Sequence, residues 1–160
     1  MRDDLPTARS LYLGNASEFD ITVQSIKAGQ AAKRFNDASA AKFGSAWQAP
    51  PAFPDAGPLY DQATITGENG DRAMMIINNG YGQTLYVPLL KVDGVWKLNI
   101  PEMANRQSAA QYELWAKGFA AGAAICNEEA NNVAAGKYDS AQSASSNLQG
   151  RISALSKAQP

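Results

Sequence analysis

The dipeptide Asp93-Gly94, set between the apolar runs Thr84–Val92 and Val95–Ile100, constrains this chain more than any other feature. Asp-Gly supplies the two positive φ angles of a type I′ bend, whose twist matches that of two antiparallel strands. A two-residue bend fixes the register. Val92 must face Val95, Lys91 must face Trp96, Leu89 must face Leu98 and Val87 must face Ile100. One face then carries Leu85, Val87, Leu89, Trp96, Leu98 and Ile100. Side chains alternate along a strand, so a slip of one residue would turn that whole set to the other side.

Two more bends punctuate the middle of the chain. Asn69-Gly70 separates a strand near Tyr60–Thr66 from one over Arg72–Asn78, and Asn79-Gly80-Tyr81-Gly82 makes the next reversal. The sum is a four-stranded antiparallel meander. A two-residue bend at Asn69-Gly70 would oppose Ile65 to Met74 and Ala63 to Ile76, giving a second apolar patch. Thr64, Thr66, Lys97 and Asn99 fall on the opposite faces, where Met75, Ile77 and Leu90 interrupt the polarity. Pro88 lacks the N–H a ladder needs, so it marks an edge position or a bulge.

Helical patterns flank the sheet. Asp3-Asp4-Leu5-Pro6 reads as a helix start, with acids near the positive end and Pro in the first turn, and a short helix runs on to Gly14. Ser17 offers a cap for a longer helix from about Glu18 to Phe43, with an inward stripe of Phe19, Val23, Ile26, Ala31, Phe35, Ala38 and Phe43, ended by Gly44. Residues 49–58 contain four prolines and form a crossing from helices to sheet. After Pro101 a stripe of Tyr112, Trp115, Phe119, Ala123, Cys126, Ala130 and Val133 runs up to a stop at Gly136. Asp139 or Ser140 can cap a last helix with Ala141, Ala144, Leu148, Ile152 and Leu155 on a narrow stripe, which packs on the preceding helix or on a partner.

These elements define an α+β fold: N-terminal helices packed on a curved four-stranded meander over residues 1–104, followed by a helical extension over 105–160 on the same domain. At 160 residues such a chain can bury a substantial core. A net charge of −1 and a pI near 5.4 give no field that gathers phosphates, so nucleic acid is not the expected partner. Lys27, Lys33, Arg34 and Lys42 read as the solvated side of a helix. No apolar run approaches the ~20 residues that a bilayer span needs. The start Met1-Arg2-Asp3-Asp4 leaves two compartments open, the cytoplasm or an exported protein whose signal has been removed.

The order of helices, proline-rich crossing and meander closing on PLLKVDGVWKLNI resembles the nuclear transport factor 2-like superfamily of cystatin-like cone folds, in particular its uncharacterised bacterial members. Ala40-Ala41-Lys42-Phe43-Gly44 and the stretch EEANNVAAGKY, residues 128–138, resemble the same group. The resemblance implies a bent sheet whose concave side is covered by helices and can hold a small ligand. Its members include dehydratases, isomerases, cyclases and non-catalytic modules, so fold alone does not choose a function. The first helix is shorter than the usual pattern, and the tail beyond Pro101 is an extension for which the resemblance supplies no role.

The catalytic members that this chain resembles hold a carboxylate inside the cone, often beside His or Tyr. This chain has no His, and the face carrying Ile65, Met74, Ile76, Leu89, Trp96 and Leu98 has almost nothing that transfers a proton. Asp61, on the side of Ala63 and Ile65 at the strand's open end, is the one candidate base for a small-molecule lyase or isomerase, against the plainer reading of a solvated carboxylate. Tyr60, Met74, Tyr86 and Trp96 are the candidate pocket residues, and Tyr81 could join them, although half-buried packing accounts for each tyrosine more simply. Lys91 is placed to cover the Trp96 indole. Cys126 lies on an apolar stripe and reads as a small buried side chain. Glu128, Glu129 and Asp139 are too few and too separated for a metal site, and no cofactor is expected. The expectation is a non-enzymatic module that binds a small apolar ligand or a protein partner, with a homo-oligomer through the C-terminal helices as the structural alternative.

Overall fold

A computed structural model describes residues 5–44, 63–78, 84–103 and 107–158. Helix α1 (Leu5–Ser10) leads into a two-residue strand β1 (Tyr12–Leu13) and the long helix α2 (Ala16–Phe43). Four strands follow, β2 (Thr64–Asn69), β3 (Arg72–Asn78), β4 (Thr84–Val92) and β5 (Val95–Asn99), then a 3₁₀ turn (Ile100–Glu102). Helices α3 (Ala109–Ala134) and α4 (Ala141–Ala158) complete the chain. The fold class is α+β, but the sheet has five strands in the order β1-β5-β4-β3-β2, with β1 parallel to β5. This corrects the purely antiparallel four-stranded meander. The missed strand is short because α1 stops at Ser10 instead of reaching Gly14, and Tyr12 and Leu13 pair with Leu98 and Asn99.

The residues group into two compact units. One holds α1, β1, the start of α2 as far as Asp20, and the sheet with its 3₁₀ turn; the other holds α2 from Ile21 onward and, from Glu113, the rest of α3 with α4.

In the sheet unit the Asp93-Gly94 bend is as expected. Both residues have positive φ, and Val92, Lys91 and Leu89 face Val95, Trp96 and Leu98. The ladder stops there, because Ile100 opens the 3₁₀ turn, so the expected Val87–Ile100 pair does not form. Pro88 consequently lies where β4 keeps only β3 beside it, opposite Met74, and its missing N–H leaves no β5 partner unsatisfied.

The first hairpin differs. Its two-residue loop is Gly70-Asp71, one position later than expected, and Asn69 pairs with Arg72. Gly67, at φ +65, then inserts a bulge, so Thr66 faces Met74, Ile65 faces Met75 and Thr64 faces Ile76. The net slip of one residue turns β2 over relative to its expected pairing, while the inward side of β3 is set by its ladder with β4. Ala73, Met75 and Ile77 align with Leu89, Val87 and Leu85 on the inner side, while Met74 and Ile76 align with Pro88 and Tyr86 on the outer one. The expected joint face of Ile65, Met74 and Ile76 with Leu89 and Leu98 is therefore not formed.

The inner side is packed by Tyr12, Ile77, Val87 and Ile100, with Phe19, Ala63, Met75, Leu98 and Met103 around them. Tyr12 and Phe19 meet edge to face, and the Arg9 guanidinium lies over both rings while donating to the carbonyls of Tyr12 and Gly14. Helix α2 starts with a reciprocal cap. The Glu18 N–H donates to Asn15 Oδ1 at 2.9 Å, and the Asn15 N–H donates to Glu18 Oε2 at 2.7 Å. Asn15, not Ser17, is thus the cap residue. Glu18 is buried by this arrangement, and the Tyr12 hydroxyl donates to its carbonyl.

The helical unit is held by Ala28, Ala31 and Phe35 of α2, Ala123, Cys126, Ala130 and Val133 of α3, and Ala144 and Leu148 of α4. Of the expected α2 stripe, Phe19 joins the sheet core, whereas Ala31, Phe35, Ala38 and Phe43 serve the helical one. Trp115 leaves its expected inward position and is exposed, with Ala116 buried instead. Helix α3 ends as expected at Gly136, whose positive φ lets its N–H reach the Val133 carbonyl and lets Lys137 reach that of Asn132.

At Gly14 a Cβ would sit 2.6 Å from Glu18 Oε2. Gly14→Ala is expected to break the Asn15–Glu18 cap and lower stability by about 1–2 kcal/mol. An unchanged urea midpoint in this variant would contradict that role for Gly14.

Candidate functional site

Among the described residues, one set of ionisable side chains converges inside the fold. Glu129 occupies the apolar stripe of α3, three residues after Cys126 and four before Val133, and is only 1% exposed. A buried carboxylate needs partners for its charge and its lone pairs. Arg151 of α4 donates from Nη1 to Glu129 Oε1 at 2.5 Å and from Nη2 to Glu128 Oε2 at 2.7 Å. Tyr138, on the turn between α3 and α4, donates its hydroxyl to Glu129 Oε2, and Asn132 Nδ2 approaches the same oxygen at 3.4 Å. The guanidinium thus bridges two successive carboxylates, one wet and one buried.

Electrostatics follow from this geometry. Burial pushes the Glu129 carboxyl up, but the hydrogen bonds from Tyr138, Arg151 and Asn132 outweigh it and hold the group below the ordinary carboxylate range. Glu128 is held low by its hydrogen bond from Arg151 and by the charge of that residue. Tyr138 is pushed up, by burial first and then by Glu129, so it stays a phenol donor. Arg151 is raised by the two carboxylates. Burial, reinforced by Glu129, also raises the Cys126 thiol, which agrees with a small packed side chain.

A general base needs a pKa near the working pH and a lone pair open to substrate. Glu129 meets neither condition, since both its oxygens are occupied and its charge is locked on. The arrangement fastens α4 and the preceding turn to α3. Among the described residues no group of three or more His, Cys, Asp or Glu side chains could hold a metal ion.

Of the pocket residues singled out from sequence, the described ones do not share one side of the sheet. Asp61, Tyr60 and Tyr81 lie outside the described residues. Met74 and Tyr86 are on the outer side of the sheet, whereas Trp96 is on the inner side with Lys91, whose Nζ stands 5.4 Å from the indole centroid. That lysine cover is the cation–π contact expected over this indole in place of a stacked ligand. Arg151 was missed. Its signal was a carboxylate inside the stripe Cys126-Ala130-Val133, which demands a cation, and Arg151 precedes Ile152 on the stripe of the last helix.

Comparison of the chain with models of known protein families, with curated proteins and with solved structures finds no match.

The depressed carboxyl of Glu129 gives stability that is complete above the unfolded value of about 4.3 and is lost as pH falls through its lower folded value. Glu129→Gln should lower stability at pH 7 by about 1–3 kcal/mol and flatten the acid side of the pH–stability curve. Urea titrations between neutral and acid pH measure this, and an acid slope equal to that of the unaltered protein would contradict it.

Proposed function

We propose that this protein is a non-catalytic binding module whose sheet holds an apolar partner surface on its outer side. The observation that carries this reading is the lateral pairing of apolar side chains on that side. Met74 lies beside Pro88 and Ile76 beside Tyr86, with Leu90 next along β4 and Val95 on β5. All keep part of their surface in water, Tyr86 58% and Val95 47% of theirs. A contiguous apolar patch on a sheet is the common mark of an interaction surface, unlike isolated exposed aliphatics.

Charge narrows the partner. Lys97 faces Leu90 on one side and Arg72 faces it on the other, and Glu102 partly neutralises the arginine. Positive charge thus sits at one end of the patch, and a protein surface with carboxylates at the rim of an apolar face complements it. Membership in the nuclear transport factor 2-like superfamily is part of this proposal, supported by a long helix preceding an antiparallel run that closes on the Asp93-Gly94 hairpin. No described helix is long and apolar enough to cross a membrane.

The dye 1-anilinonaphthalene-8-sulfonate, apolar with one negative charge, reproduces the chemistry expected of the partner. Its emission should rise on the native protein and fall close to the free-dye level in an Ile76→Thr, Tyr86→Thr double variant, which keeps β propensity while removing apolar area. A native protein that leaves the dye dark, or a variant as bright as the original, would overturn the reading.

A further inference from the structure

The last helix is held differently from its neighbours. Phe35 and Ala31 of α2 interlock with Cys126, Ala130 and Val133 of α3, all buried. Helix α4 adds only Ala144 and Leu148 to that core, with Ile152 at its margin. Its sequence is a weak helix former, with Ser145, Ser146, Asn147, Ser153 and Gly150 along its length. Gly150 has open space around it, so no close packing requires a glycine there.

What compensates is polar and concentrated at one point. Arg151 bridges Glu128 and Glu129, and Tyr138 ties the turn ahead of α4 to the same buried carboxylate. Three other cations of the unit lie elsewhere, while the charge of Lys137 acts on Glu128. Lys33 pairs with Asp37, Arg34 reaches Asn127, and Lys42 lies beside Gly136.

From this uneven distribution we propose that α4 is a latch, a helix that undocks from α2 and α3 as one unit when the Arg151–Glu129 contact opens, while α2 and α3 stay folded. Undocking unpacks the cluster that Ala144 and Leu148 share with Cys126, a thiol that is 2% exposed in the closed state. Cys126 therefore reports on the latch without taking part in it.

Hydrogen exchange read by mass spectrometry on the full chain tests the latch directly, together with the labelling rate of Cys126 by 5,5′-dithiobis(2-nitrobenzoate). Residues 141–158 should exchange at least about tenfold faster than residues 21–43, as sub-global opening requires. Arg151→Met should remove protection from α4 while sparing α2 and α3, and Cys126 labelling should accelerate with it. Arg151→Lys keeps the charge but loses the fork, so it should fall between the two. A single common exchange rate for all three helices in every variant overturns the latch, as does an Arg151→Met protein whose α4 is as protected as in the original chain.

Discussion

The ladder between β3 and β4 decides which side of β3 faces the core, and the left-handed residue Gly67 decides which side of β2 joins it. Its φ of +65 places a bulge in β2 that moves the pairing of Thr66, Ile65 and Thr64 by one residue. The facing of β3 itself follows from its ladder with β4. Met75 and Ile77 turn towards Tyr12 and Ile100, and Met74 and Ile76 turn outwards beside Pro88 and Tyr86. Without the bulge Ala63 and Ile65 would turn to the outer side beside Ile76 and Met74, and Thr64 and Thr66 would turn to the inner one. The bulge sets the threonines of β2 on the outer side, beside the proposed interaction surface.

The helical unit depends on a different kind of constraint. Glu129 is a charge placed where an apolar side chain would pack, and it is tolerable only because Arg151, Tyr138 and Asn132 satisfy both its oxygens. Such a group contributes specificity of placement. An apolar stripe as narrow as Ala144, Leu148 and Ile152 could slide by a helical turn, but a guanidinium spanning two adjacent carboxylates has one position. The same concentration of contacts leaves α4 with little else to hold it.

How far this was legible from sequence depended on whether the deciding interaction was local. Asp93-Gly94 states its own geometry, since both residues carry the positive φ angles, and the adjoining pairs followed as far as Leu89–Leu98. The helix stop at Gly136 and the lysine over Trp96 were readable for the same reason. Asn69-Gly70 misled because two glycines three residues apart, Gly67 and Gly70, compete for the left-handed positions, and their division into a bulge and a bend needs the whole sheet to settle it. Strand β1 escaped because a two-residue parallel pairing has no periodicity. Asn15 outranked Ser17 as cap because Glu18 stands three residues after Asn15 and completes a reciprocal pair, a signal present in the sequence. Of the candidate site, Asp61 and Tyr60 lie outside the described residues, Tyr86 alternates to the side of β4 opposite Trp96, and the β3–β4 ladder puts Met74 on the side of Tyr86. The Glu129–Arg151 contact joins positions 22 apart and was signalled only by a carboxylate in the wrong place.

The facing of β3 is the claim on which the outer surface rests, and nuclear magnetic resonance reads it most directly. Cross-strand contacts between β3 and β4 should pair Met74 with Pro88 and Ile76 with Tyr86. Contacts pairing Met74 with Leu89 and Ile76 with Val87 would contradict the account, because they would turn Met74 and Ile76 to the core side.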